Sequence, residues 1–198
     1  MDRIALTFDD GPAPWTEPIL ELLDEHDARA TFFVIGSVAR DGADLLRTMV
    51  AGGHEVGNHT WSHPRLAREC DATQVHDELT RTNDVLVEIL GFPPVRFRAP
   101  RYDVDDQVEA IAARLGLKHT RGDVTPPDYS ESSTAGFIAT LVLQQVRPGA
   151  VVGLHDGVPP HKIGSGASRQ ATVDVVRTIV PRLKDRGFEL VTASELLG

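Results

Sequence analysis

The chain has 198 residues, 41% hydrophobic and 25% charged, a composition that suits a single globular domain over residues 1–198 with a sizeable buried core. Its net charge of −9, with Lys and Arg scattered rather than clustered, argues against a nucleic-acid partner. There is no stretch of about 18 apolar residues to span a membrane, and one cysteine, Cys70, rules out an intramolecular disulfide and is expected to pack as a small apolar residue. No leader precedes the first apolar run, so the chain reads as cytoplasmic as it stands, or as a catalytic domain trimmed from a secreted protein. A monomer is expected.

In chain order, apolar β-rich runs predict strands over residues 4–8, 31–35, 54–57, 95–98, 117–121, 150–154 and 188–191. Segments of helical period alternate with them over 17–26, 38–51, 73–90, 104–115, 135–146 and 172–186. Such alternation without a break in composition indicates a parallel α/β arrangement, either a closed barrel or an open sheet. The polar motifs fall where the strands end: Asp9 and Asp10, His59, Arg98, residues 123–128, and His155. In α/β barrels that C-terminal edge carries the chemistry. Two Pro/Gly/Ser-rich loops, 125–136 and 158–168, are candidate rims of a cleft, and His161 in the second is placed to touch a substrate.

Two residue groups carry most of the chemical signal. Asp9-Asp10 closes an apolar run and is followed by Gly11-Pro12, which supplies a turn. His59 and His63 stand four apart, a spacing that puts both imidazoles on one face of a helical turn, with Asn58 as its cap and Pro64 keeping it short. Two neutral imidazoles and one carboxylate suit zinc or another first-row metal and leave a position for water. The second aspartate is then free to act as a base.

These segments occur in a telling order. Thr7-Phe8-Asp9-Asp10-Gly11-Pro12, Ala30-Thr31-Phe32-Phe33-Val34-Ile35-Gly36, residues 53–63, Phe97-Arg98-Ala99-Pro100 and Leu154-His155-Asp156 together resemble the motifs of the polysaccharide deacetylase family, also called the NodB-homology domain or carbohydrate esterase family 4. The resemblance covers nearly the whole chain. It implies a distorted (β/α) barrel of seven or eight parallel strands and a metal-dependent N-deacetylase. The implied reaction hydrolyses the acetamide of an N-acetylated amino sugar, in a chito-oligosaccharide or peptidoglycan-like glycan, to free amine and acetate. It further implies that Asp10, His59 and His63 hold one divalent ion, zinc first, with cobalt, nickel or manganese as alternatives. Asp9 would be the general base, oriented by Arg98; Arg96, two residues earlier, lacks the Arg-x-Pro context. His155 would be the general acid, its pKa raised by Asp128, with Asp156 a weaker candidate partner. Pro100, Arg101, Tyr129 and Leu154 would border the substrate, the Arg101 N–H completing an oxyanion site and Leu154 with Tyr129 forming the wall for an acetyl methyl.

The chain departs from the family pattern around that pocket. Arg101 separates Pro100 from Tyr102, where an aromatic residue usually follows the proline directly. In the fourth motif Thr125 stands for an aspartate and Tyr129 for a tryptophan. Two other readings therefore stay open: a hydrolase of small amides, formamides or cyclic imides on the same scaffold, and a catalytically silent carbohydrate-binding module. Arg101 either meets an anionic or hydroxyl group of the substrate or points to solvent while Tyr102 takes the aromatic's place.

Overall fold

A computed structural model describes residues 2–198. Its strands are β1 (Asp2–Asp9), β2 (Ala30–Val34), β3 (Glu55–Asn58), β4 (Arg96–Phe97), β5 (Lys118–His119), β6 (Val151–His155) and β7 (Phe188–Leu190). All pair in parallel, in the order β5-β4-β3-β2-β1-β6, while β7 pairs with the N-terminal half of β1. The sheet curls into a distorted barrel. Between β5 and β6 the ladder is missing, and a single bridge from Val124 to Val152 spans the seam. Residues 4–9 of β1 are buried without interruption because both faces of the strand are covered, which is why it reads as a continuous apolar run.

The outer layer is formed by α1 (Thr16–Asp24), α2 (Gly36–Ala39), α3 (Ala43–Ala51), α4 (Leu66–Glu69), α5 (Ala72–Leu90), α6 (Asp106–Arg114), α7 (Ala135–Gln145), α8 (Gln170–Asp185) and α9 (Ala193–Leu197). The six segments of helical period account for seven of these helices, with one correction. The segment 38–51 is two helices, broken before Gly42, where a Cβ would overlap the ring of Pro12. Neither α4 nor α9 was anticipated, although the Thr192–Glu195 capping box that opens α9 is a sequence signal. The main apolar core joins the strands to α1, α3 and α8 and includes a Phe8–Phe32 stack at 5.1 Å. A smaller cluster beneath β4, with Leu79, Phe97 and Val108, holds α5 and α6.

Strand register brings the functional positions together. Asp9 aligns with Phe33 on β2 and with His155 on β6. Asn58 aligns with Phe97, so His59 and Arg98 leave their strands at the same edge. The alternation of β6 also overturns one expectation: Gly153 and His155 face the cleft, so Leu154 faces the opposite way. Leu154 is fully buried in the main core and cannot form the acetyl wall. Leu154→Ala is therefore expected to cost about 2–5 kcal/mol of folding stability, measured by denaturant unfolding; a change below about 1 kcal/mol would contradict this placement.

Candidate active site

The site begins where β1 stops. Consecutive strand residues point to opposite faces, yet both Asp9 and Asp10 line the cleft. Asp10 does so by adopting a left-handed conformation, φ 75°, which aspartate tolerates better than most residues. Backbone from the next strand pins the turn: the amides of Asp156 and Gly157 donate to the Asp9 carbonyl at 3.1 and 3.2 Å. Gly157 is obligatory there, because a Cβ would overlap the Asp10 carbonyl. The Asp156 side chain turns away from His155 and accepts from Thr16 Oγ1 at 2.5 Å, which removes it as the partner of His155. Burial pushes its carboxyl up to about 7.

His59 and His63 do share one site, but not through a helical turn. Residues 59–65 are irregular, with Thr60 and His63 both at φ 67°. Pro64 disfavours helical geometry at His63, and hydrogen bonds from elsewhere dictate the loop. Glu78 of α5 accepts from the amides of Trp61 and Ser62, both at 2.8 Å, and from Ser62 Oγ at 2.7 Å. Asn58 is not a helix cap. Its Oδ1 accepts from the Thr60 amide, and its Nδ2 donates to Leu79 O and Asn83 Oδ1.

The three side chains fit a cation. Asp10 Oδ1 lies 3.4 Å from His59 Nε2 and 3.3 Å from His63 Nε2. That oxygen is buried and accepts no hydrogen bond among the described residues. His59 Nδ1 lies 2.7 Å from the Arg98 carbonyl, so Nδ1 carries the hydrogen and Nε2 turns its lone pair to Asp10. One donor atom from each residue falls within 4.8 Å of the others. Burial pushes the Asp10 carboxyl up, but His59, His155 and His63 outweigh it and hold the group at about 2. Burial lowers the His59 pKa while Asp9 and Asp10 more than reverse it, a local preference for positive charge that a divalent ion satisfies. His63 is held neutral, at about 4, chiefly by burial and then by His59.

On one side of this trio stands Asp9. Its Oδ1 accepts from Arg98 Nη1 at 2.8 Å, and the same Nη1 donates to Thr7 Oγ1 at 2.7 Å. Arg98 Nε donates to the Thr120 carbonyl. Arg96 is buried too, but it serves Ser194, Thr120 and Gly198 and makes no bond to Asp9. On the other side His155 Nδ1 pairs with Asp128 Oδ1 at 2.7 Å. Asp128 Oδ2 accepts from the His155 amide and from Thr172 Oγ1, at 2.7 and 2.9 Å. Burial lowers the His155 pKa, yet Asp128 overrides it and lifts the imidazole to about 9.

A cleft of about 530 Å³ connects these groups. Tyr129 lines it, 57% exposed, its ring edge-on to His155 at 5.6 Å. Arg101 and Tyr102 line it as well, both with positive φ. Pro100 is buried at the start of a 3-10 turn and leaves the lining to its neighbours. Sequence reading overlooked Thr7, Thr172, Glu78 and Arg169. Thr7 was within reach, since it lies two residues before Asp9 and hence on the same face. Thr172 and Glu78 act across 16 or more positions of sequence, and Arg169 reaches back 12 to Gly157, so none leaves a local signal.

A barrel with a metal-fitting Asp-His-His trio between a carboxylate and a histidine defines a metal-dependent hydrolase. The polysaccharide deacetylase family profile matches residues 1–120. A chitooligosaccharide deacetylase of Bradyrhizobium sp. (strain ANU 289) is 41% identical over 192 residues, covering 94% of this chain and 87% of the relative. The peptidoglycan deacetylase PdaC from Bacillus subtilis superposes with a TM-score of 0.87 at 32% identity, covering 98% of this chain and 89% of that one. A family 4 acetyl xylan esterase from Clostridium thermocellum, solved with a cobalt ion, gives a TM-score of 0.86 at 35% identity, with the same two coverages of 98% and 89%. The chain belongs to the polysaccharide deacetylase family.

The approach of His63 Nε2 to within 3.3 Å of Asp10 Oδ1 predicts that His63→Ala weakens the binding of a divalent ion, probed with zinc, by more than about 10–100-fold, the range set by loss of a mere supporting hydrogen bond. Calorimetric titration of chelator-treated protein measures this, and an unchanged affinity would remove His63 from the ligand set.

Proposed function

We propose that this enzyme hydrolyses the acetamide of N-acetylated amino sugars in a chito-oligosaccharide or peptidoglycan-like glycan, giving free amine and acetate. The observation that carries the reading is the placement of two differently paired groups, a carboxylate on a guanidinium and an imidazole on a carboxylate, on either side of one cation-fitting trio. Asp9 accepts from the buried Arg98 guanidinium at 2.8 Å, which fixes the direction of its carboxylate. His155 is tied to a buried carboxylate and keeps its proton at neutral pH. One cleft thus holds a proton acceptor and a proton donor at once, the pairing that amide hydrolysis requires.

Asp10, His59 and His63 would hold one divalent ion, zinc by the chemistry of the donor set, which supplies Lewis acidity toward the amide carbonyl and an acidified water. Asp9 accepts the proton of the attacking water, with Arg98 fixing the direction of the carboxylate. The Arg101 amide, which donates to no group among the described residues, is available to the developing oxyanion. His155 delivers its Nε2 proton to the leaving amine, while Asp128 holds Nδ1 and stabilises the charged ring. Tyr129 shields that side of the cleft. Every group named belongs to one chain, so a monomer suffices.

Two measurements test the assignment. Asp9→Asn should lower kcat by roughly 10²–10⁴ with zinc still bound, whereas Asp10→Asn should lower zinc affinity; the opposite pattern would reverse the two roles. The pH profile tests the acid. Asp128 raises the His155 pKa, so Asp128→Asn must lower it, and the alkaline limb of kcat/KM should move to lower pH. A limb that stays where it is would break the His155–Asp128 pairing. Acetate release from N-acetylated chito-oligosaccharides, compared with a panel of small amides, tests the substrate.

A further inference from the structure

The charges around the cleft that the chemistry does not use are all of one sign. The carboxylates that line it are Asp9 and Asp10, both part of the reaction centre. The remaining permanent charges in the lining are Arg101, Lys162 and Arg169. This holds in a chain with 29 acidic and 20 basic residues. Among the described residues, none of these three cations forms an ion pair, although Arg3, Arg29, Arg40, Arg47 and Arg68 all do so elsewhere on the molecule.

Arg169 is the most telling of the three. It is only 3% exposed. Its Nε donates to the Gly157 carbonyl at 2.8 Å and its Nη1 to the Ser168 carbonyl at 3.1 Å. Carbonyls satisfy the hydrogens but carry no net charge, so a guanidinium is buried without a counter-ion, an expensive arrangement unless an anion comes to it. Arg101, held at φ 57° and ψ 20°, and Lys162 add exposed positive charge to the same cleft. Guanidinium groups match the planar oxygen pairs of carboxylate and phosphate.

We infer that the glycan taken by this cleft carries an oxyanion substituent, a carboxylate or a phosphate, close to the acetamide that is cleaved. The inference rests on the deacetylase reading above and specifies its substrate class. The cations serve recognition, and the substituent supplies the charge that the protein withholds.

Three probes of equal length test it: N-acetylated chitotetraose, the same oligosaccharide with its primary hydroxyls oxidised to carboxylates, and a version phosphorylated there. With zinc-loaded protein at low salt, a charged probe should be deacetylated with a kcat/KM roughly 5–50-fold above the neutral one, mainly through KM. About 0.5 M salt should erase most of that preference. Arg101→Gln and Lys162→Gln should each cut the charged-to-neutral ratio roughly 2–5-fold. Whichever charged probe is preferred identifies the substituent. Calorimetric binding of the three probes to zinc-loaded Asp9→Asn protein needs no turnover and separates the two claims. Tighter binding of a charged probe without deacetylation of any would support the anion site and sink the deacetylase reading. Turnover with equal kcat/KM, or equal or undetectable binding of all three probes, would overturn the anion site.

Discussion

Much of this architecture depends on a guanidinium sealed from water. Arg98 is 1% exposed in the middle of the barrel mouth. Burying such a charge costs several kcal/mol and is stable only when a partner and hydrogen-bond acceptors surround it. Asp9, Thr7 and the Thr120 carbonyl provide them, and the ring face of Phe33 lies 4.3 Å from the guanidinium carbon. The backbone of the same residue works in the other direction. Its amide donates to the Asn58 carbonyl, and its carbonyl accepts from His59 Nδ1. The direction of the Asp9 carboxylate, the tautomer of His59 and the joining of β3 to β4 are therefore fixed by one residue. That coupling explains how groups spread from Thr7 to Thr120 hold a common geometry.

The loop between the two histidines shows how such geometry is maintained against local preference. Left-handed conformations at Thr60 and His63 each cost roughly 1–2 kcal/mol. The carboxylate of Glu78 and the amide of Asn58 offset this by hydrogen-bonding the loop and the adjoining helix from opposite sides. The loop that carries His59 and His63 is accordingly anchored on α5, an element that contributes neither histidine. A loop held this way is ordered before any ion arrives, which lowers the entropic cost of binding one.

What could be read in the sequence was whatever is local. β1, β2 and β6 show as long apolar runs because both their faces are covered, and Asp9-Asp10 announces itself at a strand end. β4 and β5 were expected to be longer than the two residues each retains; they lie toward the open side of the sheet, where β5 has no ladder partner beyond it. The histidine spacing pointed to two side chains that do meet in space, but not for the reason it suggested, since tertiary hydrogen bonds from Glu78 override the helical turn that i and i+4 imply. Leu154 was misplaced although the strand period contained the answer: a neighbour of His155 on the same strand must face the other way. The support that Thr172 gives to Asp128 arises only when α8 packs beside the loop after β5, and no spacing encodes it.

The seam between β5 and β6 divides the active site into two kinds of construction. Asp9, Asp10, His59 and Arg98 sit on or directly after laddered strands, whose register cannot slip without dismantling the barrel. Asp128, Tyr129 and the residues of the 125–136 loop belong to a segment joined to β6 by a single β-bridge at Val124 and by the side chain of Asp128 on His155, and loops with so little ladder accept insertions and deletions at little thermodynamic cost. Descendants of this scaffold can therefore lengthen or replace that loop while Asp9, Asp10, His59 and His63 stay untouched. The same freedom carries a hazard peculiar to this layout. Any graft that displaces Asp128 also removes the charge that raises the His155 pKa, so under the proposed function a change in recognition and a change in working pH become one evolutionary step.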